Sequence, residues 1–238
     1  MHERSPEHPP HQDQHGSSVL TRRAVIVGGL AVGATPFLLA CEPEGQAAHP
    51  NRSKPANPCN FGYDWPRPPS QVHRRPIMFP VLPDPVLGQA TWTDTYLAPR
   101  GTGGCRYHEG QDLMGRKMLK LLACIDGTIV DLRHRPTGNS LTIRDDEGWY
   151  YCYLHINDDD PGTNNNRNQF RHAFAPGMAA GRRVARGEHV AFLGASGNAS
   201  DSAPHLHLEI RVPHTSQWKA AAVNPKFSLE QAAAARQP

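Results

Sequence analysis

The chain has 238 residues, 38% of them apolar and 7% aromatic, with a formal net charge of +3. That length suits one domain with a real core rather than two, and no basic run is dense enough to indicate a nucleic-acid partner. The small positive excess leans toward an anionic partner over a neutral one.

Residues 1–40 read as an export signal and not as part of the fold. A polar, His-rich leader runs into the twin arginines Arg22-Arg23, and a modestly apolar stretch follows from Ala24 to Ala40. That stretch contains Gly28, Gly29, Gly33 and Pro36, and it is short of the roughly 20 apolar residues that a membrane span needs. It ends in Leu38-Leu39-Ala40-Cys41, which resembles a bacterial lipobox, so Cys41 is expected to carry lipid and the body to sit outside the cytoplasm on a membrane surface. Residues 1–40 hold three basic and three acidic side chains, so their removal leaves the charge near +3.

Residues 41–76 are rich in Pro, Asn and Arg and lack apolar periodicity, which predicts a stiff tether with partial polyproline character. With Cys41 set aside, Cys59, Cys105, Cys124 and Cys152 remain. An even count in an exported protein predicts two disulfides in one of three pairings. Cys105 stands three residues before His108 and is a conceivable metal ligand, although the set described below is complete without it.

The body, residues 77–229, is a succession of short apolar runs with turn signals. Asp126-Gly127 splits 122–132 into two strands joined by a hairpin-type turn, and 145–148 joins strands over 139–144 and 149–156. Two more strands are predicted over 190–193 and 206–212, and the one convincing helix covers 228–236, running into a tail over 230–238. The segment 157–181 is too long and polar for a hairpin turn; it is either a solvated insertion or a rim or lid on a groove. The predicted class is all-β and mostly antiparallel, a compact sandwich or partly closed barrel.

Within that frame two clusters carry chemistry. His108 and Asp112 lie at i and i+4, and His205 and His207 at i and i+2 with Glu209 beyond them. Alternate residues of a strand share one face, so each cluster can point into one groove and offer nitrogen and oxygen ligands to a borderline metal such as zinc. His155 sits in a third strand-like run. Three ligands with histidines left over describe a catalytic metal rather than a closed structural one. His134, His172, His189 and His214 read as ordinary surface or core histidines, and Asp158-Asp159-Asp160 as a solvated acidic run rather than a second cation site.

With these residues in view, the stretch from about 79 to 225 resembles the lysostaphin/LytM-type zinc metallopeptidases, which cut peptide cross-links of bacterial cell wall. The resemblance is carried by the order and spacing of Ala98-Pro99-Arg100, His108-Glu109-Gly110-Gln111-Asp112, Asp126-Gly127-Thr128, Gly138-Asn139-Ser140, Tyr153-Leu154-His155, Gly194-Ala195-Ser196-Gly197, Pro204-His205-Leu206-His207-Leu208-Glu209 and Val223-Asn224-Pro225. It implies the compact antiparallel fold of the duplicated-hybrid-motif type, with one zinc at the floor of a narrow groove. It further implies that His108, Asp112 and His207 bind the zinc, with His155 and His205 as the unligated catalytic pair. The chain departs from the family where 114–120 is bulky and basic and where 157–181 is inserted.

The function this predicts is a membrane-tethered zinc endopeptidase acting on peptidoglycan stem peptides or cross-bridges; the rival is a LytM-type lipoprotein that regulates a separate hydrolase. The oligomeric state is not legible in the sequence.

Overall fold

The computed structural model describes residues 72–100 and 106–236. The predicted signal, the lipidation site Cys41, most of the tether, and Cys59 and Cys105 lie outside the described residues.

In chain order the elements are β1 (Pro99–Arg100), β2 (Arg106–Tyr107), β3 (Gln111–Met114), β4 (Lys120–Leu122), β5 (Gly127–Arg133), β6 (Asn139–Arg144), β7 (Tyr150–Ile156), the single turn α1 (Phe170–Ala173), β8 (Arg183–Val184), β9 (His189–Phe192), β10 (His205–Arg211), β11 (Ala222–Val223) and α2 (Lys226–Ala234). The main sheet runs β11-β10-β7-β6-β5-β8, with β3 also paired to β10. Every pairing is antiparallel. β4 and β9 form a separate two-stranded layer. Apolar side chains of both layers meet in one core, including Leu121 and Val190 from the small layer and Ile129, Leu141, Tyr151 and Leu206 from the main sheet. The architecture is thus sandwich-like, and no closed barrel forms among the described residues.

The Asp145–Gly148 hairpin joins β6 and β7 as expected, with Asp145 N–H donating to the Trp149 carbonyl at 3.0 Å and Gly148 at φ 89°. Asp126-Gly127 does not make a hairpin. β4 pairs with β9 while β5 pairs with β6 and β8, so the chain crosses between layers at this turn. An apolar run on either side of a turn looks the same whether its strands pair with each other or with distant partners.

β10 shows how the sequence positions the site. Leu206, Leu208 and Ile210 enter the core, and His205, His207, Glu209 and Arg211 share the opposite face, which is also buried. A buried polar face has to be internally satisfied, and the neighbouring strands do this.

Cys124 and Cys152 are buried free thiols, so the expectation of bridges fails for this pair. Cys124 belongs to the main core, whereas Cys152 lies on the other face of the sheet with Tyr150 and Ala220. A bridge cannot pass through a sheet without moving backbone.

Before the first strand, Arg75 is clamped onto the domain. Its N–H donates to Ser228 Oγ at 2.8 Å, and its guanidinium reaches Tyr151 Oη at 3.1 Å, Asp145 at 2.9 Å and Glu147 at 2.8 Å. The same group lies 4.8 Å over the Trp149 ring.

Candidate metal centre and its comparison with known proteins

β3 pairs with β10 so that Asp112 stands opposite His207 and Met114 opposite His205. His108, just before β3, completes a cluster in which His108 Nε2, Asp112 Oδ1 and His207 Nδ1 lie 2.7–3.0 Å from one another. This close approach requires Gly110. A Cβ there would stand 2.3 Å from the Leu208 carbonyl oxygen and 2.8 Å from His207 Nε2.

The outer nitrogens of both rings are committed. His108 Nδ1–H donates to the Thr95 carbonyl at 2.8 Å, and His207 Nε2–H donates to Glu209 Oε1 at 3.1 Å. In the neutral rings the two inward nitrogens therefore carry lone pairs and face a carboxylate oxygen. Three electron-pair donors within 4.8 Å of one another fit a metal ion, and this is the one such group among the described residues. Burial disfavours a charged His207, but the carboxylates of Asp112 and Glu209 more than offset it and raise the ring to about 9. Asp112 moves the other way: burial would raise it, yet the two imidazoles hold it far below the usual carboxylate range.

Beneath the cluster is a buried charge ladder. Arg211 Nε donates to Glu209 Oε2 at 2.8 Å, Arg211 Nη2 to Glu109 Oε2 at 2.6 Å, and Arg211 Nη1 to the Ala220 carbonyl at 2.9 Å. Burial opposes ionisation of both carboxylates. At Glu209 the guanidinium prevails and the group drops to about 2, whereas at Glu109 burial prevails and the group is raised. Glu209 is thereby kept as a firm acceptor for His207. Gln111, fully buried, organises the other side: its oxygen accepts from the Thr95 N–H at 3.0 Å and its amide donates to Asp94 at 2.6 Å and Asn224 at 3.2 Å. Through this residue the end of the domain fixes the carbonyl that orients His108.

His155 and His205 flank the cluster with ring centroids 4.9 Å apart. Each donates its Nδ1–H to a carbonyl, His155 to Ser196 at 2.9 Å and His205 to Ala203 at 2.8 Å, so each presents Nε2 as an acceptor. His205 Nε2 is 3.7 Å from Asp112 Oδ1. Burial lowers His155 to about 4, with the Ser196 carbonyl opposing it, so the ring is neutral near pH 7.

Simple alternation would have sent His155 the wrong way. Tyr151 and Tyr153 face the core, and Leu154 stands opposite His207 on the site face. His155 escapes by a bulge: Ser140 pairs with Leu154 and Asn139 with Ile156, which leaves His155 unpaired at φ 60°. The left-handed residue turns two consecutive side chains to the site face.

All five predicted site residues therefore line one cleft of about 400 Å³, whose walls include Arg100, Tyr107, Asn198 and Ser202. Arg100 donates to Asp112 Oδ2 at 2.9 Å. Segment 157–181 is not a wall of this cleft. It is held elsewhere: Lys117 binds Asp159 and, at 2.6 Å, Asn164. Asp160 accepts from Asn165, Gln169 and His172 at 2.7–3.0 Å. The acidic run thus spends two of its three carboxylates on pinning its own loop. Sequence reasoning missed the supporting residues Thr95, Glu109, Gln111 and Arg211. The alternation of His205, His207, Glu209 and Arg211 could have revealed Arg211, whereas the contribution of Thr95 is a backbone carbonyl and leaves no signal.

This antiparallel sheet, with a His-Asp-His cluster in a cleft, defines a peptidase class. The chain belongs to peptidase family M23, which matches residues 106–225, half of its length. It is 28% identical over 133 residues to the L-Ala–D-Glu endopeptidase of Bacillus subtilis (strain 168), a match covering 53% of this chain and 36% of that one. The chain thus spans about a third of the length of that curated relative. Its fold is similar to that of a Ruminococcus gnavus protein assigned as a glycyl-glycine endopeptidase, LytM, with a TM-score of 0.51 at 24% identity over 67% of this chain and 61% of the other. A looser likeness, TM-score 0.45 at 19% identity over 59% of this chain and 92% of the other, joins it to the catalytic domain of lysostaphin from Staphylococcus simulans.

Proposed function

We propose that this M23 peptidase is a zinc-dependent endopeptidase that hydrolyses peptide cross-links of bacterial peptidoglycan outside the cytoplasm. In this reading residues 1–40 are a twin-arginine signal, Cys41 carries lipid, 41–76 tether the domain, and 77–229 are the peptidase. One observation carries it: two imidazole lone pairs and a carboxylate oxygen converge within 3.0 Å while both outer ring nitrogens are already bound. His108, Asp112 and His207 would hold the ion. Zinc with three protein ligands supplies Lewis acidity and lowers the pKa of water to about 7.

The chain's own groups complete the chemistry. A substrate amide enters the cleft beside Nε2 of His155 and His205, both unprotonated in the neutral rings. One imidazole takes a proton from the attacking water as its oxygen bonds to the carbonyl carbon. As the C–N bond breaks, a proton passes to the departing amine, so one acid and one amine leave. The Ser196 and Ala203 carbonyls keep both rings aimed throughout. Support for the wall as target comes from the family and from the relative named for an L-Ala–D-Glu bond.

The test incubates the full-length chain with purified peptidoglycan, with and without a chelator, and identifies new amine termini by mass spectrometry. Cleavage that chelation stops and zinc restores is the expected result. A zinc-loaded, folded chain that releases no termini would sink the proposal.

A further inference from the structure

Beyond His155 the cleft continues into a side cavity of about 190 Å³, and the two share Leu154, His155 and Asn198. Resting on the endopeptidase reading, the geometry points to this side cavity as a subsite for a substrate carboxylate, read by Arg135 with Arg133 beside it.

Charge favours an anion in this cavity. Arg133 and Arg135 line the side cavity, and no acidic side chain does. The acidic residues of the main cleft are all committed, Asp112 to the imidazole cluster and Glu109 and Glu209 to Arg211. A peptide lying across both cavities therefore meets net positive charge at the His155 end. Arg133 is held in place by Asp131, which accepts from its Nε at 3.0 Å, and by the Trp218 ring, whose centroid is 4.4 Å from its Cζ, so that its terminal nitrogens are left to a ligand. Arg135 is exposed, and its guanidinium has no ion-pair partner among the described residues.

The cavity is also rigid. The floor is backbone packed on backbone. A Cβ on Gly138 would stand 3.1 Å from Gly197 Cα, and Asn139 N–H donates to Ser196 Oγ at 3.0 Å. Ser196 is also the residue whose carbonyl aims His155. A carboxylate gripped here is thus held at a fixed distance from the reacting centre, which is how a binding contact contributes to positioning. The planar guanidinium fork matches a carboxylate in two-point geometry. The substrate class implied is a peptide with a free carboxylate, at a terminus or on a side chain, on the His155 side of the scissile bond.

The test compares two probes, muramidase-released peptidoglycan fragments with free carboxylates and the same fragments converted to primary amides by carbodiimide in excess ammonia. Binding to the full-length, zinc-supplied chain and release of new amines are both measured. A charge-assisted contact predicts that the acidic fragments bind about tenfold or more tightly than the amides. That ratio should fall toward one in Arg135→Gln and in the double variant with Arg133→Gln, invert in Arg135→Glu, and shrink with added salt. A wild-type binding ratio near one, or a ratio unchanged in the double variant, overturns the subsite. Carboxylate-dependent binding without any cleavage would uphold the subsite and sink the endopeptidase reading; cleavage without carboxylate dependence would do the reverse.

Discussion

At the scale of single residues the proposed function divides the site into groups that would hold a metal and groups that would move protons. His207→Ala removes one of three electron pairs and should abolish both zinc content and turnover. His205→Ala leaves the cluster intact and should keep the zinc, measured by metal analysis, while turnover falls by about 10²–10⁴. Zinc loss in the His205 variant would refute the division. His155 adds a conformational test. At φ 60° asparagine is tolerated far better than a β-branched residue, so His155→Asn should lose activity without losing melting temperature, whereas His155→Val should lose both. That these five histidine and aspartate side chains meet in one cleft was legible in the sequence, because their spacing is chemical. The orientation of His155 was not: strict alternation puts it with Tyr151 and Tyr153, and only the bulge between Leu154 and Ile156 brings it to the site.

At the scale of elements, β10 and its neighbours form a lever from the domain interior to the His-Asp-His cluster. Glu209 reaches His207, Arg211 reaches Glu209 and Glu109, and all four are buried. Arg211→Met strands two carboxylates and should cost about 3–5 kcal/mol of stability in denaturant unfolding. Glu209→Gln keeps the shape but weakens the acceptor, and zinc affinity should fall about 10–100-fold in a competition titration with a chelating dye. The strands themselves were legible from alternation and turn residues. Which strands pair was not, as Asp126-Gly127 shows: β4 leaves for β9, a partner some seventy residues on, and local pattern has no access to that. The two stretches read from the sequence as departures, the basic 114–120 turn and the 157–181 insertion, are halves of one contact, since Lys117 binds Asp159 and Asn164. Lys117→Met should cost about 1–3 kcal/mol and raise hydrogen exchange across 157–172, with zinc content unchanged.

At the scale of the whole molecule, the two thiols report the integrity of the two faces of the sheet. Burial pushes both Cys124 and Cys152 up to about 12 from an ordinary 9. Alkylation at pH 8 should therefore leave both untouched in the native protein and reach them in denaturant. The sign for stability follows from the upward shift. Below pH 9 the thiols are protonated in both states and cost nothing; above it the unfolded chain ionises first, so stability should fall as pH rises from 9 toward 12. The count of cysteines suggested bridges, and the sheet between these two is what forbids one. Arg75 has the widest mechanical consequence. Its clamp joins the hairpin end of β7 to α2, while Leu154 and His155 stand at the other end of that strand, roughly 10 Å away at ~3.3 Å per residue. Tension on the segment before it is borne by the clamp and by the long axis of β7, not by the imidazoles. If residues 41–76 are the tether proposed above, a pull on that leash would leave the cleft its shape, so the leash would govern reach and leave the chemistry alone.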